Sequence, residues 1–259
     1  MNHLANRFNT IFSFKFLLFT IVLTLIFFFF LDIYIFKASR SVSGYYFFFF
    51  NEVIDPLSDI LNPLYFMIGS VLVLTIIKNY FKITKQPKKL LFLKRSLRQN
   101  SEVIFTSMDF YYNVFKHVLL SLICAGAVCH VFKYFLGVSR PKFFFLEAYD
   151  RNNFFNWEHK INALPSGHTQ AAFSMAILFV LYVNRYYLII FSLAFLMGVS
   201  RIFMSMHFPS DLIFGGYIGV IIPLVVYKIS FESKFKKINK NNLFDFRSFL
   251  KLLYLRIFL

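Results

Sequence analysis

The sequence predicts an all-α polytopic membrane protein, a bundle of six transmembrane helices, and three observations predict it. Of the 259 residues, 58% are hydrophobic and only 15% are charged, an apolar share well beyond that of a soluble domain. The apolar residues fall in runs of about 20, the length that crosses a bilayer. The basic residues give a formal net charge of +16, yet they sit beside those runs and not in a basic domain of their own. That placement argues for a membrane surface and against a nucleic-acid partner. Most of the 40 Phe read as lipid-facing filler.

The elements follow in chain order. Residues 14–36 form the first span, too long for a signal-peptide core and therefore read as an uncleaved anchor. Residues 41–62, with YYFFFF followed by Glu52, Asp55 and Asp59, read as an interfacial segment, and residues 63–80 as the second span. The next loop carries Lys82, Lys85, Lys88, Lys89, Lys94, Arg95 and Arg98 against Glu102, which makes it cytoplasmic by the positive-inside rule. The third span is 114–136, and a mixed-charge outer loop leads to the fourth at 165–183, which ends near Asn184 and Arg185. The fifth and sixth are 187–206 and 211–227. The tail, 228–259, is basic through Lys228, Lys234, Lys236, Lys237, Lys240, Arg247, Lys251 and Arg256, and its final FRSFLKLLYLRIFL reads as an amphipathic helix lying on an anionic leaflet.

Six spans place both termini and both basic segments in the cytoplasm. With no internal repeat and no long Gly/Ser linker, residues 1–259 read as a single membrane domain. Cys124 and Cys129 lie off a common helical face, so packing is expected and a disulfide is not. No ligand spacing suggests a metal. His3, His117, His130 and His159 read as interfacial residues, and Trp157 with Phe143, Phe144 and Phe145 as interface anchors.

The same topology brings three polar segments to the extracytoplasmic ends of spans three to six: KYFLGVSRP with Lys133 and Arg140, PSGH at 165–168, and SRIFMSMHFPSD with Arg201, His207 and Asp211. Charges at membrane depth are costly unless they share a partner or a wet cavity, so the three segments predict one site. Lys133, Arg140 and Arg201 are fixed cations suited to oxyanions. Ser166 and Gly167 open a helix whose first N–H groups favour an anion, and Gly167 has no side chain to obstruct it. The guest these groups predict is a phosphate. Asp211 is placed to orient His207 and leave one ring nitrogen to attack, and His168 to protonate a departing oxygen. Lys142, Arg151 and Lys160 in the outer loop are either solvated charges or contacts to a second headgroup phosphate.

These segments, Lys133-x6-Arg140-Pro141, then Pro165-Ser166-Gly167-His168, then Ser200-Arg201-x5-His207-x3-Asp211, resemble the type 2 phosphatidic acid phosphatase (PAP2) family of the haloperoxidase-like superfamily, membrane branch, with no position departing from its pattern. The resemblance implies a phosphatase that needs no metal or other cofactor. It makes His207 the nucleophile of a phosphohistidine, Asp211 its partner and His168 the acid. Lys133, Arg140, Ser166, Gly167 and Arg201 hold the phosphoryl oxygens. The implied substrate is a phosphorylated membrane lipid: phosphatidic acid, phosphatidylglycerol phosphate, undecaprenyl pyrophosphate or a lipid A phosphate. The implied location is a bacterial cytoplasmic membrane with the site facing the periplasm or exterior. Lipid-to-lipid phosphotransfer and non-catalytic lipid binding or transport are the alternatives. A vanadium haloperoxidase shares the motifs but has no use for six spans.

Overall fold

The computed structural model describes residues 11–42, 44–183, 186–238 and 243–255. Among them the fold is helical, with no strand beyond an isolated antiparallel bridge between Val138 and Asn152. The expectations for His3, Asn184, Arg185, Lys240, Arg256 and both chain ends lie outside these residues.

Helix α1 (Phe14–Ser41) starts at Ser13, whose Oγ accepts from the Phe16 N–H. Thr20 and Thr24 donate to carbonyls four residues back, which satisfies their hydroxyls without a water partner. A π turn over Phe27–Leu31 shifts the register of the turn that follows, where Asp32 lies. Residues 44–60, read as interfacial, are the helix α2. They are followed by α3 (Pro63–Ile83), α4 (Pro87–Leu97), α5 (Ser101–Leu136), α6 (Pro141–Leu146), α7 (Gly167–Val183), α8 (Tyr187–Phe203), α9 (Pro209–Lys237) and α10 (Phe246–Leu255).

Four helical stretches are long and apolar enough to cross a membrane by length and composition: Phe14–Ser41, Gly44–Ile83 (α2 and α3 together), Ser101–Leu136 and Pro209–Lys237. The helices α7 and α8 are apolar but have 17 residues each. At 1.5 Å per residue each is about 25 Å long, against a hydrocarbon core of about 30 Å. Phe14, Phe29, Phe30 and Phe195 are exposed as a lipid-facing surface requires, whereas Phe208, Phe231 and Phe249 are fully buried, so phenylalanine also builds the interior.

The packing divides into two compact units. One comprises the described parts of Met1–Pro63 and Ser121–Leu224, the other those of Leu64–Leu120 and Val225–Leu259. In the first, Phe50 and Ile54 of α2 pack on Ala172 and Ala176 of α7 and on Ala194 and Met197 of α8, so α2 has a buried face. Arg40 of α1 caps α8, donating to the Ile202 and Phe203 carbonyls at 2.5 and 2.8 Å. A cation there meets the negative end of the helix dipole. The helices α7 and α9 approach closely at two glycines. A Cβ on Gly215 would lie 2.6 Å from the Ser166 carbonyl oxygen, and one on Gly219 would lie 2.4 Å from that of Gln170.

The outer loop folds back on itself. Gly137, at φ +50°, makes the turn after α5, where a Cβ would collide with the Asn153 carbonyl. The Ser139 N–H then bonds to the Arg151 carbonyl, Arg140 N–H to Lys160, and Ala163 N–H to the Val138 carbonyl. Phe144 and Phe145 pack near Phe208, so part of the Phe run serves the interior, while Trp157 stays exposed and stacks on Tyr134.

In the second unit, Ile77, Tyr80, Leu93, Leu97, Ile104 and Met108 form a core with Phe249, Leu252 and Leu255 of α10. The Tyr80 hydroxyl donates to the Leu252 carbonyl at 2.6 Å. This corrects the reading of the tail: the apolar face of α10 is covered by protein and is not laid on a leaflet. It also corrects His117, which is fully buried against the rings of Tyr227 and Phe231. Cys124 and Cys129 are free thiols.

Candidate active site

Every residue singled out for the site falls within the first unit. Lys133 is in the last turn of α5, Arg140 caps α6, and Ser166 precedes α7, which Gly167 and His168 begin. Arg201 is in the last turn of α8, His207 stands between α8 and α9, and Asp211 is in the first turn of α9.

Asp211 is held by the way α9 begins. Pro209 takes the first helical position, where its missing N–H costs nothing. The carboxylate of Asp211 then reaches back to accept from the Phe208 N–H at 2.8 Å, the reciprocal half of a capping box. The same oxygen, Oδ2, lies 3.2 Å from Nδ1 of His207. One acid therefore caps the helix and orients the imidazole. His207 is buried, with the Ala163 carbonyl beside its ring. Burial, ahead of the charges of Lys133, Arg140 and Arg201, holds its pKa well below the usual histidine range. The resting imidazole is thus neutral at physiological pH, the form in which a ring nitrogen can attack.

Lys133, Arg140 and Arg201 are buried and all act on His207. Lys133 Nζ donates to the Asn162 carbonyl at 2.5 Å. Arg140 places Nε and one terminal nitrogen on the Asn162 side-chain oxygen at 3.3 and 2.9 Å. Asn162 therefore holds two of the three cations, and sequence reasoning missed it because its partners are 29 and 22 residues away. Arg201 pairs with Asp55 of α2 at 2.5 Å and also donates to Ser58. Its buried Nε has no hydrogen-bond partner.

At the Pro-Ser-Gly-His corner, the Ser166 hydroxyl is the N-cap of α7, accepting from the Thr169 N–H at 3.3 Å. The Ser166 N–H is taken by the Asp211 carbonyl at 2.9 Å, so this amide is engaged by α9 and is not free for an anion. With the Thr169 N–H on the Ser166 hydroxyl, the first-turn amides left for an anion are those of Gly167 and His168. A Cβ on Gly167 would meet only Lys133 Cε at 3.7 Å, so the space above this glycine borders the lysine. His168 is exposed, with the cations Arg201, Lys133 and Arg140 and the ring of His207 as its neighbours. His130 is exposed, as is His159, whose pKa is lowered first by Arg140, which puts it at the rim of the cluster.

Of the outer-loop cations, Lys160 pairs with Glu147 at 2.6 Å at the surface. Arg151 pairs with Asp32 of α1, whose side chain is fully buried. Arg151 is engaged in this pair through one terminal nitrogen. Asp32 was not singled out in the sequence. The signal was an acid inside an apolar span, which is costly without a partner. An apolar cavity of about 780 Å³ lies among α1, α7, α8 and α9, lined by Thr169, Gly198 and Leu212 near the site and by Phe173, Phe191 and Tyr217 beyond. No cluster of His, Cys, Asp or Glu able to hold a metal occurs among the described residues.

Residues 115–235 match the family model described as the PAP2 superfamily. The bacitracin transport permease protein BcrC of Bacillus licheniformis is 38% identical over 79 residues, 29% of this chain and 39% of the relative. A lipid A 1-phosphatase of Rhizobium etli is 23% identical over 139 residues, 51% of this chain and 57% of the relative. One of Rhizobium johnstonii is 22% identical over 139 residues, covering 51% and 54%. The chain thus spans between 39% and 57% of the length of these relatives. No solved structure matches.

Proposed function

On the premise that residues 115–235 are a PAP2-superfamily segment, we propose that this protein is an integral membrane phosphatase acting on a phosphorylated lipid headgroup through a phosphohistidine. The observation that carries the reading is the convergence of Lys133, Arg140 and Arg201 on a neutral His207 that Asp211 orients, with His168 beside them. The cations bind the non-bridging phosphoryl oxygens and stabilise the charge that builds in the transition state. With Nδ1 held by Asp211, Nε2 of His207 attacks phosphorus. The bond to the lipid oxygen breaks, its electron pair stays with that oxygen, and His168, protonated when the bound phosphate offsets the surrounding cations, supplies the proton. Water then displaces His207 from phosphorus and gives its proton to His168. The apolar cavity beside Thr169 and Leu212 suits a substrate with a hydrocarbon tail. The similarity to proteins named lipid A 1-phosphatase adds weight to a saccharolipid phosphate among the four candidate substrates.

The test is phosphate release by the purified full chain from phosphatidic acid, phosphatidylglycerol phosphate, undecaprenyl pyrophosphate and lipid A. Release from at least one is expected, undiminished by excess EDTA and inhibited by vanadate, a mimic of five-coordinate phosphorus. Phosphorylated acceptor lipid in place of free phosphate would make the protein a transferase. Strict Mg²⁺ dependence with vanadate resistance would overturn the mechanism.

The site is proposed to face the exterior of a bacterial cytoplasmic membrane, with six spans and both termini inside, because the basic segments at 82–98 and 228–256 mark the cytoplasmic side. Asn152→Cys, an exposed loop position, is expected to react with an impermeant thiol reagent in spheroplasts. Labelling only after lysis would reverse the topology.

A further inference from the structure

Behind the His207–Asp211 pair lies a second polar group that the phosphatase motif does not include. Asp32 Oδ1 accepts from the Ser210 N–H at 2.9 Å and Oδ2 from the Ser210 hydroxyl at 2.6 Å. Ser210 directly precedes Asp211 in the first turn of α9, so a residue of α1 fixes the backbone from which the catalytic carboxylate projects. Asp32 also pairs with Arg151, whose guanidinium lies 3.7 Å from the ring centroid of Phe208 and 4.5 Å from that of Phe28. Phe208 is the residue whose N–H binds Asp211 Oδ2. Burial lowers the Arg151 pKa, and two carboxylates oppose this, Asp211 through its charge and Asp32 through its charge and its hydrogen bond. Asp211 Oδ1 and one terminal nitrogen of Arg151 are both buried without hydrogen-bond partners.

We propose that Asp32 and Arg151 are positioning residues for the His207–Asp211 pair: Asp32 anchors the turn that carries Asp211, and Arg151 supplies the positive charge that keeps Asp211 ionised and accepting from His207. The proposal rests on the phosphatase reading for its catalytic consequence but not for its geometry. Two carboxylates lie at the start of α9, where the helix dipole favours negative charge. A buried anion pair is nonetheless unfavourable without a cation, and Arg151 is the cation that faces both. The contacts of the Arg151 guanidinium with the Phe208 and Phe28 rings and its pair with Asp32 favour its keeping this place as substrate enters.

The experiment reads the imidazole itself, so it does not depend on activity. In the full chain labelled with ¹⁵N-histidine, the His207 signals are identified by their loss in His207→Gln. The wild type is expected to show a protonated Nδ1 and a bare Nε2. The double variant Asp32→Asn/Arg151→Gln removes both members of the ion pair together, so neither is left buried without the other. It should melt near the wild type yet show His207 as a mixture of tautomers, and kcat should fall about 10²-fold with KM within twofold. Wild-type tautomer signals in that variant would overturn the proposal. So would recovery of kcat relative to the single variants, since that is what a merely structural ion pair predicts. If the double variant does not fold, Arg151→Lys decides: it keeps the charge and should keep the Nδ1–H signal, and a mixed signal there would refute the role assigned to charge. A wild type that shows the Nδ1–H signal but releases phosphate from no substrate would count against the phosphatase reading and leave the positioning role supported.

Discussion

His207→Ala is expected to abolish turnover of every phosphorylated substrate, by at least about 10⁴-fold, because no phosphohistidine can form without the nucleophile. His168→Ala is expected to behave differently. A lipid alkoxide is a poor leaving group and needs a proton as it departs. An activated aryl phosphate departs without one, so much of the roughly 10² to 10⁴-fold that acid catalysis contributes is not at stake for it. The His168 variant should therefore lose lipid hydrolysis and retain measurable aryl phosphate hydrolysis. The placement of the two rings agrees with this division: His207 is buried and tied to Asp211, whereas His168 is exposed at the first turn of α7. Parallel kcat/KM measurements on both substrates check it. An equal loss for His168→Ala would assign that residue to holding phosphate and remove it as the acid.

Gly215→Ala should cost about 10²-fold in kcat, although alanine favours a helix more than glycine does. Its Cβ would stand 2.6 Å from the Ser166 carbonyl oxygen, a backbone atom that cannot rotate away, so α7 and α9 must separate. The Ser166 N–H bonds to the Asp211 carbonyl at 2.9 Å. Any separation at Gly215 therefore pulls the corner carrying His168 from the turn carrying Asp211, and a displacement near 1 Å is enough for a loss of this size. Gly216→Ala is the control. Its Cβ would meet only the Phe173 ring, at 3.6 Å, an ordinary contact, and activity should stay near wild type. Equal activities for the two variants would show that close approach at Gly215 does not set the geometry.

What was legible in the sequence divides along a physical line. Lys133, Arg140, His168, Arg201, His207 and Asp211 were legible because their spacing along the chain is itself the pattern, and because each charge at membrane depth calls for a shared site. Asn162 and Asp32 were not singled out, and Arg151 was read only as a solvated charge or a contact to a second phosphate, because their work is done across the fold: Asp32 and Ser210 are 178 residues apart. Gly215 and Gly219 were not singled out, since nothing local says which helix face meets another backbone. The tail failed for the opposite reason. The amphipathic pattern of α10 was correctly visible, but a pattern shows that one face needs cover without saying whether lipid or Tyr80, Leu93 and Met108 will provide it.

The double duty of Asp211, which caps α9 through the Phe208 N–H while orienting His207, bears on how kin of this chain are to be judged alive or dead as enzymes. A descendant that abandoned the chemistry would still need an acid there to begin the helix, so Asp211 would outlast the activity it once served. His168 carries no such second duty among the contacts described. In a decayed copy it is the histidine at the corner, and not the aspartate, whose disappearance would mark the loss of turnover.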